Sequence, residues 1–348
     1  MSVPFATSPS TTGDVTGSRG AATAALAAAV LGFFVITLDA TVVNVALPAV
    51  RDDFGGGMTG LQWVLDSYTL MFAALLLSAG AVSDRIGAHR AFGTGMAVFV
   101  AASVACGLAP NVGVLIAARA VQGAGAATML PASLALIREA FPDSVRRARA
   151  IAVWTIAGSV AAAAGPVSGG ALSLASWRMI FFINMPVGVA ALFLLARAVC
   201  SPRRPVPFDW TRQVAAVVAL GALTFAAIEA GADGFGAPKV LVAFAVAAVA
   251  AAAFVAAQVR GKHPMVPMDL LRSRTMRIAS ANGFAFIAGL NGTVFLYSLC
   301  LQQERGLSAL AVGLVCLPMA ALSAFLGVPT VRPGSGTGRA CPSSVVFS

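Results

Sequence analysis

Two ionisable residues lie deep inside apolar runs, Asp39 within 21–50 and Arg119 within 112–131. Each run is long enough to cross a bilayer, which takes about 20 residues of helix. A charge at that depth is expensive, is seldom retained without a partner, and usually marks a path for ions or substrates. These two positions constrain the chain to an all-α, multi-pass membrane protein that moves something through the bilayer.

Composition points the same way. Apolar residues make up 59% of the chain and charged residues 10%, with a mean hydropathy of +0.88. A soluble domain carries about 25% charged residues, so a water-soluble globular fold is excluded. The net charge of +10 does not indicate nucleic acid, because the basic residues fall in short clusters between apolar runs. Five scattered cysteines and two histidines offer no ligand spacing, so no metal site or cofactor is expected. The chain also lacks a nucleophile–base arrangement and a phosphate-binding G-x-x-x-x-G-K-[ST] loop, which argues against an enzyme and against ATP drive.

Apolar runs recur at 25–47, 61–81, 91–109, 112–132, 150–172, 179–197, 213–231, 240–258, 278–300 and 309–327, predicting ten spans. Alternating the loops between two sides puts 18 of the 23 Lys and Arg on one side and four on the other, Arg119 being intramembrane. Basic loops face the cytoplasm, so the N-terminus is cytoplasmic. Residues 1–20 read as a disordered cytoplasmic tail, 198–212 and 259–277 as cytoplasmic connections, and 328–348 as a low-complexity or frame-shifted tail.

Several stretches carry recognisable patterns. After the second span, Gly80-Ala81-Val82-Ser83-Asp84-Arg85-Ile86-Gly87 resembles the G-x-L-A-D-R-x-G loop of the major facilitator superfamily. Gly80 and Gly87 suit close packing and a tight turn, and Asp84 is placed to face a helix N-terminus or a basic partner. In the fourth span, Arg119, Gln122 and Gly123 share one helix face and resemble that superfamily's R-x-x-Q-G pattern. In the fifth, Gly165-Pro166-Val167-Ser168-Gly169-Gly170 resembles its antiporter motif; Ala161, Gly165 and Gly169 form a small-residue packing face, and Pro166 invites a bend. Leu38–Pro48, Trp63–Leu70 and the Ser176–Gly188 stretch are similar to the fourteen-helix drug:proton antiporter branch.

That resemblance implies a helical bundle with about ten of fourteen expected helices present. The six-helix transport bundle would occupy 21–197, an inserted helix pair 213–258, and the first two helices of an incomplete second bundle 278–327. It implies proton-coupled efflux of drugs or other amphipathic small molecules across the bacterial cytoplasmic membrane by alternating access. The alternative expectation is a truncated, non-transporting fragment of such an exporter. The partners implied are the lipid bilayer, an amphipathic substrate and protons, with the proton gradient as energy source and no nucleic acid.

Asp39 and Arg119 fall at matched depth, within about one helical turn. They can pair, and part when the carboxylate takes a proton, so they are the expected proton-coupling residues. Asn44, Asp66 and Gln122 are expected along the substrate path. Gly80, Asp84, Arg85, Gly87, Gly123, Gly165, Pro166, Gly169 and Gly170 are the expected conformational motifs.

Overall fold

The computed structural model describes residues 14–55, 57–198, 201, 210–260, 273–303, 311 and 315, and the described residues contain helices and no strand. The elements are α1 (Asp14–Phe54), α2 (Met58–Ile86), α3 (Ala88–Gly107), α4 (Val112–Ala140) and α5 (Ser144–Ser173). They continue with α6 (Met179–Phe182), α7 (Asn184–Leu195), α8 (Trp210–Asp233), α9 (Pro238–Arg260) and α10 (Arg274–Gln303). Nine of the ten expected spans coincide with these helices; the tenth, at 309–327, lies outside the described residues apart from 311 and 315, and the 328–348 tail lies wholly outside them. Six described helices are long and apolar enough to cross a membrane, and α2 is a seventh when its halves Thr59–Leu76 and Ser78–Ile86, bent by 59°, count as one span.

The ends of the elements follow local chemistry. Asn111 and Asp143 cap α4 and α5, accepting from the backbone N–H groups of Val114 (2.9 Å) and Arg146 (2.8 Å). Gly87 alone joins α2 to α3, at φ 90° and ψ 140°, a region that L side chains rarely enter. Pro186 has no N–H to offer the Phe182 carbonyl, and the sixth span is broken at Ile183 into α6 and α7. Three boundary expectations are corrected. Helix α1 already begins at Asp14 within the supposed tail, α8 begins at Trp210 within the linker, and α10 begins at Arg274 within the loop. Polar residues continue a helix past the apolar run because the backbone ladder does not stop at the edge of the hydrocarbon.

Helix α4 occupies the middle, packed on α1, α2 and α3, while α1 packs on α4, α5 and α7. Small residues set these crossings. A Cβ on Gly125 would lie 2.8 Å from the Phe99 nitrogen and 2.9 Å from the Gly95 carbonyl of α3, and one on Gly169 would lie 2.8 Å from the Val42 carbonyl of α1. Such approaches give the dense contacts that hold helices together where lipid offers no hydrophobic drive. Helix α5 runs unbroken through Pro166, so the expected bend is not accompanied by a break in the helix. Trp154 of α5 stacks on Phe33 of α1 (3.8 Å) and donates to Ser133 of α4 (3.2 Å).

Two large apolar clusters fill most of the bundle, beside a small third one of Ala29, Ile137 and Ala150. One gathers Val35, Phe92, Met96, Phe99, Met129 and Ala191; the other gathers Val42, Leu115, Cys106, Ile180 and Phe181. Along α1, α3 and α4 the chain leaves one cluster and enters the other, and the residues between are Asp39, Ser103, Arg119 and Gln122. A polar layer is thus held between two apolar ones. Helices α8 and α9 pack on each other, and α8 on α2, where Gln213 donates to the Ala74 carbonyl (3.1 Å). Nearly all the side chains described on α10 are exposed.

Candidate functional site: a buried ion pair at the centre of the bundle

Asp39 of α1 and Arg119 of α4, 80 residues apart, form an ion pair in which Arg119 Nη1 donates to Asp39 Oδ2. Their exposures are 0% and 1%, so neither charge has water to solvate it. The surroundings replace that solvation. Asp39 Oδ1 accepts from Gln122 Nε2 (2.8 Å) and from Asn184 Nδ2 (2.7 Å). Arg119 donates through Nη1 to Gln122 Oε1 (2.8 Å) and through Nε to the Val64 carbonyl of α2 (3.2 Å). Its guanidinium lies 4.3 Å from the centre of the Tyr68 ring, whose hydroxyl donates to the Ile36 carbonyl (3.3 Å) one turn before Asp39. Ser103 Oγ of α3 accepts from both Gln122 Nε2 (2.7 Å) and Asn184 Nδ2 (2.9 Å).

Each side chain reaches this layer for a local reason. Arg119 and Gln122 stand one turn apart on the face of α4 that Gly123 also belongs to. At Gly123 a Cβ would run into the Tyr68 carbonyl, so the bare glycine lets α2 lie close enough for Val64 to accept from Arg119 and for the Tyr68 ring to cover it. Asn184 opens α7 just after the break at Ile183. Five helices meet at one carboxylate and one guanidinium, a buried charge pair with several charge-assisted hydrogen bonds.

The other expected residues are placed differently. Gln122 is fully buried against Asp39 and Arg119, so it belongs to the ion-pair layer and lines no open path in this conformation. Asn44 is exposed on α1, its Nδ2 donating back to the Ala40 carbonyl (3.1 Å). Asp66 is half-buried on α2 with no ion-pair partner among the described residues. Asp84 and Arg85 are exposed at the end of α2, and Asp84 does not cap α3, because the one-residue turn at Gly87 leaves no side-chain cap there. Gly80 lies beyond the bend in α2, where an added Cβ would have nothing within 4 Å, so it makes no close packing among the described residues. Gly87 makes the turn, while Gly165 and Gly169 abut Thr41 and Val42 of α1; Pro166 and Gly170 are half-buried beside them.

Sequence reasoning did not assign Ser103, Asn184 and Tyr68 to the site. Asn184 carried a signal, an amide in an apolar span two residues before a proline; Ser103 carried none, since serine is common in such helices.

Comparison with known proteins agrees with this architecture. The pattern of the Major Facilitator Superfamily matches residues 29–338. The chain belongs to that superfamily. It is 39% identical over 300 residues to the multidrug resistance protein Stp of Mycobacterium tuberculosis, covering 85% of this chain and 56% of that one. It is 38% identical over 294 residues to the methylenomycin A resistance protein of Bacillus subtilis, covering 84% and 63%. The chain thus spans 56% and 63% of the length of these two relatives. Among solved structures, the peptide transporter POT in complex with sulfate is 15% identical with a TM-score of 0.54, covering 88% of this chain and 68% of that one. That likeness concerns the fold.

Proposed function

We propose that this protein takes part in proton-coupled efflux of drugs or other amphipathic small molecules across the bacterial cytoplasmic membrane. The observation that carries the reading is the ion pair of Asp39 and Arg119, fully buried where five helices meet. The names of the relatives, a multidrug resistance protein and a methylenomycin A resistance protein, support the substrate class. A proton arriving on Asp39 cancels its charge and ends the ion pair. Arg119 keeps the Gln122 and Val64 oxygens and the face of Tyr68, so it does not become an unsolvated cation.

The consequence is mechanical. The pair ties α1 to α4, and its loss changes the packing of the two helices at the middle of the bundle. A bundle with two packings, biased by one proton, is the two-state element that alternating access needs. Asn44 lies five residues along α1 from Asp39, about 7.5 Å, and is exposed, so movement of α1 carries it with the pair. Asn44 and the half-buried Asp66 are the polar groups we assign to the substrate path, and the energy source is the proton gradient, without a cofactor.

Asp39→Asn tests the reading, since the amide preserves shape and cannot titrate. In proteoliposomes with an imposed pH gradient, the variant should insert normally and lose gradient-driven export. Unchanged gradient-dependent export would remove Asp39 from the mechanism.

A further inference from the structure

Asn184 differs from every other member of the ion-pair layer in one respect. Its Nδ2 donates to Asp39 Oδ1 (2.7 Å) and to Ser103 Oγ (2.9 Å), while its Oδ1 is buried with no hydrogen-bond partner. Buried amide oxygens normally find a donor, so this unpaired acceptor calls for an explanation.

The layer must satisfy Asp39 in two states. Ionised, the carboxylate only accepts, and every group facing it donates: Arg119 Nη1, Gln122 Nε2 and Asn184 Nδ2. Once a proton binds at Oδ1, that oxygen becomes a donor and needs an acceptor. Arg119 has none to offer. Gln122 cannot turn its amide, because its Oε1 accepts from Arg119 (2.8 Å) and from Cys106 Sγ (3.7 Å), and turning would aim an NH2 at the guanidinium. Asn184 has no such tie. Half a turn about its terminal bond brings Oδ1 to where Nδ2 stood, facing Asp39 Oδ1 and Ser103 Oγ. The amide then accepts from the new carboxyl O–H and from the serine hydroxyl in place of the two bonds it donated.

We propose that Asn184 is the positioning residue that accommodates the proton on Asp39, by reversing its amide between donor and acceptor. This rests on the reading above that Asp39 takes the coupling proton. The two states hold equal numbers of bonds to Asn184, and one end of the amide is left unpaired in each. Asn184 therefore removes the donor-against-donor clash that a fixed donor would impose on the protonated acid. The other charged and titratable groups facing Asp39 are Arg119 from α4, Tyr68 from α2 and, through Gln122, Cys106 from α3; the segments of α5, α6 and α7 at this level contribute none.

Infrared difference spectroscopy on the purified protein in lipid vesicles, taken between neutral and acid pH, reads both partners. Acidification should produce a carboxyl C=O band. A side-chain amide C=O band should move to lower frequency with the same midpoint, as the amide oxygen goes from no hydrogen bond to two. Asp39→Asn should abolish both changes. Asn184→Leu, of similar size, and Asn184→Ala, which needs no extra room, should abolish the amide change and raise the carboxyl frequency, because the acid has lost its acceptor; size-exclusion profiles establish that each variant is folded. A carboxyl band dependent on Asp39 without the amide change, or an amide change that survives in a folded Asn184 variant, overturns the role of Asn184 and leaves the coupling role of Asp39 standing. A spectrum with no carboxyl band dependent on Asp39 overturns the coupling role itself.

Discussion

Replacing Arg119 by Met isolates the energetics of the buried pair. Met approximates the length of the arginine stem and fits the same apolar walls, so the change removes the cation without opening a large cavity. The carboxylate of Asp39 then keeps Gln122 and Asn184 as donors and has no opposite charge at 0% exposure. An uncompensated buried charge destabilises a protein by about 3–5 kcal/mol, and an unpaired Asp at mid-membrane by about 2.5–3.5 kcal/mol. The overlap sets the expectation near 3 kcal/mol. Loss of the cation–π contact with Tyr68 at 4.3 Å adds about 1 kcal/mol. Adding Asp39→Asn to Arg119→Met should recover most of the loss, because the neutral amide needs no counter-charge and the remaining partners can still bond to it. Reversible unfolding in mixed detergent micelles, followed by circular dichroism on the wild type, both single variants and the double variant, measures the cycle. A loss in Arg119→Met below about 1 kcal/mol would refute the reasoning. So would a double variant less stable than Arg119→Met alone.

Three further outcomes are expected. Gly123→Ala places a methyl against the Tyr68 carbonyl, where backbone meets backbone and neither yields, so stability should fall by about 1–3 kcal/mol; Gly80→Ala, with nothing within 4 Å among the described residues, should be neutral or slightly stabilising in the same unfolding assay. Single cysteines placed in the 83–90 and 138–149 loops should resist a membrane-impermeant reagent added from outside intact cells, as the distribution of basic residues requires; strong labelling of either loop would refute the orientation.

The sequence determined the helical, membrane-spanning character of the chain, because runs of about 20 apolar residues admit few other fates in lipid. It determined which charges are exceptional, since Asp39 and Arg119 lie deep in such runs, and even their common depth follows from counting residues along two helices of opposite direction. It did not determine what surrounds them. Ser103 and Asn184 join the pair only because α3 and α7 pack on the same side of it, and the rotational setting of one helix on another depends on contacts remote in sequence, such as Gly125 against Phe99 and Gly188 against Val100. The same holds for Gln122, whose spacing from Arg119 places it on the right face of α4 but leaves open whether that face meets a path or a wall. Gly80 and Gly87 look alike in the string; Gly87 is required by a backbone at φ 90°, while Gly80 has no close neighbour among the described residues. Periodicity is local and survives in the sequence, whereas the partner of a buried polar atom is fixed by packing between helices, which only the tertiary structure decides.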